Sequence, residues 1–343
     1  MAGGLWAPAA NLPEMLSGKL ITLVHESDAL RGNPLGDPFV RELPVYLPPD
    51  CGKDVPLIAV LAGFGGNGQG ALHGTPWDPS FPDRYERLLK EGLCPPAAFI
   101  FPDGFTRYGG SQYMNSNATG SYEDWLVDEV FPYVENELGV GGRPARRGLM
   151  GKSSGGFGAL HVCLNRPEMF RALASHSGDA YFELGYKPDF GRLLEVLEKH
   201  GGVQGFLDAF ESAQRISTPM FIAMSVFAMA SVYSPDPDEP LGVALPVDVQ
   251  TGRLREEIWS RWLEHDPVAM AEQKGDALRD YEVVFIDAGL TDEYHLQFGA
   301  RQLVESLKAH RVSVEQQEFD GGHMGVRYRY ESSLPFMTKA LSR

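Results

Sequence analysis

The chain has 343 residues, 43% hydrophobic and 22% charged, which excludes a mainly disordered, collagenous or coiled-coil protein. The 46 acidic against 30 basic residues leave a formal charge of −16. Such a surface repels phosphate backbones and anionic lipid, so neither nucleic acid nor a membrane is an expected partner. The three cysteines, Cys51, Cys94 and Cys163, stand apart without a CxxC pair. They suggest neither a zinc site nor a disulfide framework, and no metal or cofactor is expected. The first residues, Met1–Leu16, lack the basic start and apolar run of a signal peptide. The most apolar stretch, Pro219–Tyr233, is too short to span a bilayer. A cytoplasmic location is the resulting expectation, with homo-oligomerisation left open.

Eight strands are predicted in chain order: Leu20–Val24, Arg41–Leu47, Pro56–Leu61, Ala97–Phe101, Arg147–Gly151, Ala172–Ser177, Glu282–Ile286 and Ser313–Glu318. From the third onward most are continuous apolar runs, as strands covered on both faces require. Helices are predicted at Tyr85–Glu91, Tyr122–Leu138, Gly156–Asn165, Glu293–Ala309 and Glu331–Leu341. This alternation points to an α/β fold, a mostly parallel eight-stranded sheet with helices on both faces. Residues 182–274 break the rhythm with helical patterns at Phe190–His200, Val203–Phe210, Ile216–Val232 and Leu254–Leu263. They read as a helical cap inserted into a core made of residues 1–181 and 275–343.

The strongest chemical signal is Gly151-Lys152-Ser153-Ser154-Gly155. It ends a predicted strand and opens a predicted helix, the context of a G-x-S-x-G nucleophile elbow. With Ser153 as nucleophile the flanking small residues fit. With Ser154 the long Lys152 side chain would sit two positions earlier, so Ser153 is preferred. Gly63-Phe64-Gly65-Gly66-Asn67-Gly68 matches a dinucleotide fingerprint, but Pro76, Pro79 and Pro82 keep the chain irregular to about Asp83, where that fold needs a helix. The loop suits an oxyanion hole better, and the backbone N–H groups of Phe64 and Ser154 are the candidate donors.

A serine nucleophile needs a base, and the base an orienting acid. The elbow class orders them serine, acid, histidine, which favours His323, in a glycine-flanked loop after the last strand, over His310 and His295. The acid is expected after the seventh strand, where Asp287, Asp292 and Glu293 are candidates. Asp292, at the far end of its loop, is preferred. Asp287 reads as a brace and Glu293 as a helix-start residue favoured by the dipole.

The elbow, the Ala62–Gly66 loop, Ser175-His176-Ser177-Gly178-Asp179 and the Gly289…Asp292…His323 tail resemble the putative-esterase family of α/β hydrolases. So does Gly109–Ser116 with Tyr122–Asp124. That family includes S-formylglutathione hydrolases, feruloyl and acetylxylan esterases, siderophore esterases and mycolyltransferases. The resemblance implies an α/β-hydrolase fold, a Ser153–Asp292–His323 triad and oxyanion donors at Phe64 and Ser154. Ala62 stands where the family commonly has histidine, and Lys152 where it often has histidine or glutamine. The expectation is a metal-independent serine carboxylester hydrolase acting on small to medium apolar or aromatic esters. Acyl transfer by the same triad, or binding without catalysis, are the alternatives. Phe221, Met224 and Phe227, in the Met/Phe-rich stretch of the insertion, are expected to line the substrate pocket.

Overall fold

The computed structural model describes residues 16–49 and 51–343, so the reading of Met1–Leu16 lies almost wholly outside the described residues. The eight main strands are β1 (Lys19–Glu26), β2 (Val40–Leu47), β3 (Leu57–Leu61), β4 (Ala98–Ile100), β5 (Arg147–Lys152), β6 (Ala172–His176), β7 (Val283–Gly289) and β8 (Glu315–Phe319). They form one sheet in the order β1-β2-β4-β3-β5-β6-β7-β8. β2 runs antiparallel to β1 and β4, and every other pairing is parallel.

The apolar runs of the central strands serve two cores at once. Successive side chains of a strand point to opposite faces. Leu57, Ala59 and Leu61 of β3 therefore join one core with Leu149, Leu173 and Ile286. Ile58 and Val60 join the other with Met150, Ala174 and Phe285. The second face is covered by α1 (Phe81–Lys90) and by a C-terminal helix, which contribute Tyr85, Leu88, Leu334 and Met337. The first face is covered by the stretch from Tyr122 to Leu138, which ends in α2 (Phe131–Leu138), and by α3 (Ser154–Asn165). Within that stretch Trp125–Val130 adopts the wider π-helical pattern.

Between β6 and β7 lie α4 (Phe190–Lys199), α5 (Val203–Ser212), α6 (Thr218–Tyr233), α7 (Glu256–Leu263) and α8 (Pro267–Lys274). The first four bury Leu193, Phe206, Phe227, Met229, Trp259 and Trp262 in a core of their own, closed below by Tyr108, Met114 and Phe157. The fifth was not predicted, although Asp266 caps it and Pro267 occupies its first turn. It packs Val268, Met270 and Ala271 into the sheet-side core instead. After β7 come α9 (Leu296–Ala309) and, after β8, α10 (Tyr330–Leu341).

Two helix starts differ by three residues or more from expectation, each for a local reason. Helix α1 begins at Phe81, because Ser80 and Asp83 form a capping box. Pro82 fits the first turn, where its missing N–H costs nothing. The run predicted from Glu293 becomes helical only at Leu296. Asp292 Oδ1 accepts the Tyr294 N–H at 2.9 Å, and His295 takes a left-handed φ of 61°, so these residues form a loop. Among the described residues no helix is long and apolar enough to cross a membrane.

Candidate active site

The site lies at the C-terminal ends of β5, β7 and β8, where a parallel sheet opens its crevice. β5 turns sharply into α3 at Ser153, whose φ of 57° and ψ of −129° are unusual for a residue with a side chain. The flanking glycines make the turn sterically feasible. A Cβ on Gly151 would stand 2.4 Å from the Gly155 carbonyl carbon, and one on Gly155 would stand 2.1 Å from the Leu61 carbonyl oxygen. The Ser153 N–H donates to the His176 carbonyl at 3.0 Å, tying the elbow to β6.

The loops after β7 and β8 are zipped together. Leu290 N–H donates to the Phe319 carbonyl at 2.9 Å and Thr291 N–H to the Gly321 carbonyl at 3.0 Å. Gly289 allows the close approach, since a Cβ there would lie 2.4 Å from the Gly321 oxygen. The zipper brings Asp292 to His323, Oδ2 to Nδ1, at 2.9 Å. His323 Nε2 lies 3.0 Å from Ser153 Oγ. Tyr294 packs edge-on against the imidazole, ring centres 4.8 Å apart. Glu293, read as a helix-start residue, does something else: its carboxylate accepts the His323 N–H at 2.5 Å. Asp287 points away from this group to the face of the sheet covered by α10, bound to His176 and Arg329.

Burial works to raise the Asp292 carboxyl, but the hydrogen bond and charge of His323 and the Tyr294 N–H outweigh it and hold the pKa below the ordinary carboxylate value. Burial lowers the Lys152 ammonium, against the opposing pull of the Asp292, Asp179 and Glu293 charges. Lys152 shares the cavity wall with Ser153.

The structure places Phe64 and Ser154, the expected oxyanion donors, on the same cavity wall. The Phe64 carbonyl accepts the Gly110 N–H at 3.0 Å, and the Tyr113 hydroxyl accepts the Ala62 N–H at 2.8 Å, which fixes this loop against the Gly109–Tyr113 segment. Ser154 is the first residue of α3, where N–H groups lack intrahelical partners. Its hydroxyl points at Asp179, 3.0 Å away, and not at the histidine.

The cavity has a volume of about 520 Å³ and is lined by Phe64, Phe182, Tyr186, Phe221, Ile222 and Leu296 among others. Of the three insertion residues expected there, only Phe221 is on its wall, 38% exposed and edge-on to Phe64. Met224 and Phe227 are a correction: they are 3% and 1% exposed and sit in the insertion's core, Phe227 against Tyr108. The helical period decides this. Phe221, Ile222 and Ser225 share the cavity side, while positions 224 and 227 turn toward the core. Sequence reasoning left Asp179, Tyr186 and Gln112 without a role, although all three form a buried network beside Ser153. The position of Asp179 just past the end of β6 was the available signal. Among the described residues no group of three or more His, Cys, Asp or Glu is arranged to hold a metal ion.

A family model described as "Putative esterase" matches residues 40–340. One curated relative, the uncharacterized protein YbbA of Bacillus subtilis, is 32% identical over 98 residues. That match covers 29% of this chain and 36% of YbbA, so the chain spans about a third of that relative's length. Among solved structures, a ferulic acid esterase superposes with a TM-score of 0.60 at 18% identity, covering 94% of this chain and 99% of that one. An S-formylglutathione hydrolase from Agrobacterium tumefaciens gives 0.60 at 15% identity, with 96% and 97% covered. The fluorophosphonate-binding serine hydrolase F of Staphylococcus aureus gives 0.57 at 16% identity, with 94% and 98% covered. At these identities the structures establish the shared α/β-hydrolase fold.

Proposed function

Because the chain belongs to the putative esterase family, we propose that its serine-esterase chemistry runs through Ser153, His323 and Asp292. One observation carries this reading: the continuous line from Asp292 Oδ2 through both nitrogens of His323 to Ser153 Oγ, at 2.9 and 3.0 Å. His323 takes the proton from Ser153 as Oγ attacks the ester carbonyl. The N–H groups of Phe64 and Ser154 receive the oxyanion, each worth about 3–4 kcal/mol in the transition state. His323 then hands its proton to the leaving alcohol, and water, deprotonated by the same imidazole, releases the acid from Ser153. Asp292, held below the usual carboxylate range, stays ionised through neutral pH and stabilises the imidazolium.

The substrates are small to medium apolar or aromatic esters, a reading supported by the aromatic lining and the size of the cavity. Residues 182–274 act as a cap over it, reaching the wall through Phe182, Tyr186, Phe221, Ile222 and Ser225, while α8 anchors the cap to the core. The test is a p-nitrophenyl ester series from acetate to decanoate, with labelling by an organophosphonate. Wild type should turn over the short esters and take the label on Ser153. Equal turnover by Ser153→Ala, or label on Ser154, would defeat the assignment.

A further inference from the structure

The proposed triad leaves Asp179, a carboxylate of the cavity wall, without a role. Asp179 is 7% exposed and lines the cavity. Its Oδ2 accepts three hydrogen bonds, from the Tyr186 hydroxyl at 2.7 Å, the Ser154 hydroxyl at 3.0 Å and Gln112 Nε2 at 3.2 Å. Its Oδ1 meets, among the described residues, only the Ser153 hydroxyl at 3.5 Å. That hydroxyl has a single proton, and His323 at 3.0 Å holds the closer claim on it. Lys152 acts on Asp179 through space, without a hydrogen bond. Oδ1 is therefore an acceptor facing a largely apolar cavity with almost no donor of its own, a costly state for a buried carboxylate. The backbone around it is strained as well. Gln112, Ser177 and Tyr181 have φ values of 54°, 41° and 59°, in the left-handed region that residues with side chains avoid.

The geometry of the reaction says which part of an ester meets Oδ1. The tetrahedral carbon on Ser153 Oγ carries an oxyanion, a leaving oxygen and the acyl substituent. The oxyanion lies at the Phe64 and Ser154 N–H groups, since a carboxylate would repel it. The leaving oxygen lies within reach of His323 Nε2, from which it collects its proton. The acyl substituent is the group left to face Asp179. We propose that Asp179 is a specificity-determining residue that accepts a hydrogen bond from a hydroxyl on the acyl α-carbon, so that the enzyme favours α-hydroxyacyl esters. The inference rests on the triad reading above.

The test compares ethyl glycolate with ethyl methoxyacetate, whose α-oxygens activate the carbonyl similarly while only the first donates a hydrogen bond. Released acid is titrated with wild type and with Asp179→Asn. Wild type should favour the glycolate by roughly tenfold or more in kcat/KM, as a hydrogen bond to a charged group implies. In Asp179→Asn, Gln112 Nε2 can only donate, so it holds the amide oxygen at the Oδ2 position. The amide NH₂ then faces the cavity, and the preference should vanish or turn toward the methoxyacetate. A wild-type ratio near one, or a ratio unchanged in the variant, overturns the inference. Should the variant fail to fold, the wild-type ratio alone decides. Ethyl acetate turnover that disappears in Ser153→Ala keeps the triad reading standing in either case. Wild type that turns over none of the three esters defeats the triad reading and this inference with it.

Discussion

Two serine–histidine–aspartate chains run through the described residues. Asp292, His323 and Ser153 stand at the cavity with contacts of 2.9 and 3.0 Å. Asp287, His176 and Ser333 lie between β6, β7 and α10 with contacts of 2.8 and 2.8 Å. By side-chain type and distance the second is the equal of the first. What differs is everything around them. Ser333 lies within a helix, fully buried, with its hydroxyl also directed to the Tyr330 carbonyl at 3.3 Å. Asp287 gives its other oxygen to Arg329 at 2.9 Å. No ester reaches this group, and it serves as a polar cross-link of strand, strand and helix. Triad distances alone therefore do not identify a hydrolytic site. A strained, accessible nucleophile and backbone donors beside it are required too.

The largest effect that could break this contrast is on the two serines. Ser153→Ala should lower kcat for p-nitrophenyl acetate by roughly 10⁴-fold or more, while Ser333→Ala stays within a few-fold of wild type. Loss of turnover in the second variant alone would exchange the roles of the two chains. The aspartates should divide in the same way. Asp292→Asn should cost kcat about 10⁴-fold with the fold intact, through loss of imidazole orientation and stabilisation. Asp287→Asn should instead destabilise the fold by about 3–5 kcal/mol, as removing one partner of a buried charge pair does. Urea unfolding alongside steady-state kinetics separates these outcomes.

The contrast between wall and core recurs along α6. Met224→Ala and Phe227→Ala should each lose about 2–5 kcal/mol of stability and shift the acetate and hexanoate esters equally. Phe221→Ala should change the ratio of the two esters and leave the unfolding midpoint nearly where it was. A selectivity change in Phe227→Ala would put that ring back on the pocket wall. The smallest effect concerns Lys152, on the cavity wall with Ser153. Burial lowers its pKa in the folded chain, so between the folded and the ordinary lysine value the unfolded chain holds the proton more tightly. Stability therefore rises with pH through that window, and the penalty is full below it. Lys152→Met should raise the urea midpoint slightly at pH 7, with the gain shrinking toward pH 10. A gain that grows with pH would show that the ammonium is stabilised by the surrounding carboxylates instead.

Much of this molecule is legible in its amino-acid order. The apolar runs within Pro56–Leu61 and Glu282–Ile286 require two covered faces, which is the sheet. Gly151 and Gly155 frame a turn that no other residues could make, and the late, glycine-flanked His323 follows from chain order. Local chemistry of that kind is written in neighbouring residues. The three-dimensional structure alone decided what depends on residues far apart. His176 and Ser333 are 157 positions apart, and only the packing of α10 on the sheet makes them partners. Helix α6 is apolar all round, so its sequence carries no record of which side faces the cavity. Its docking on Tyr108 and Phe64 chose Phe221 for the wall and Phe227 for the core. Asp179 acquires its role only where β6, the Gln112 segment and Tyr186 converge. A carboxylate's chemistry is set by what surrounds it, and those surroundings are assembled by the fold.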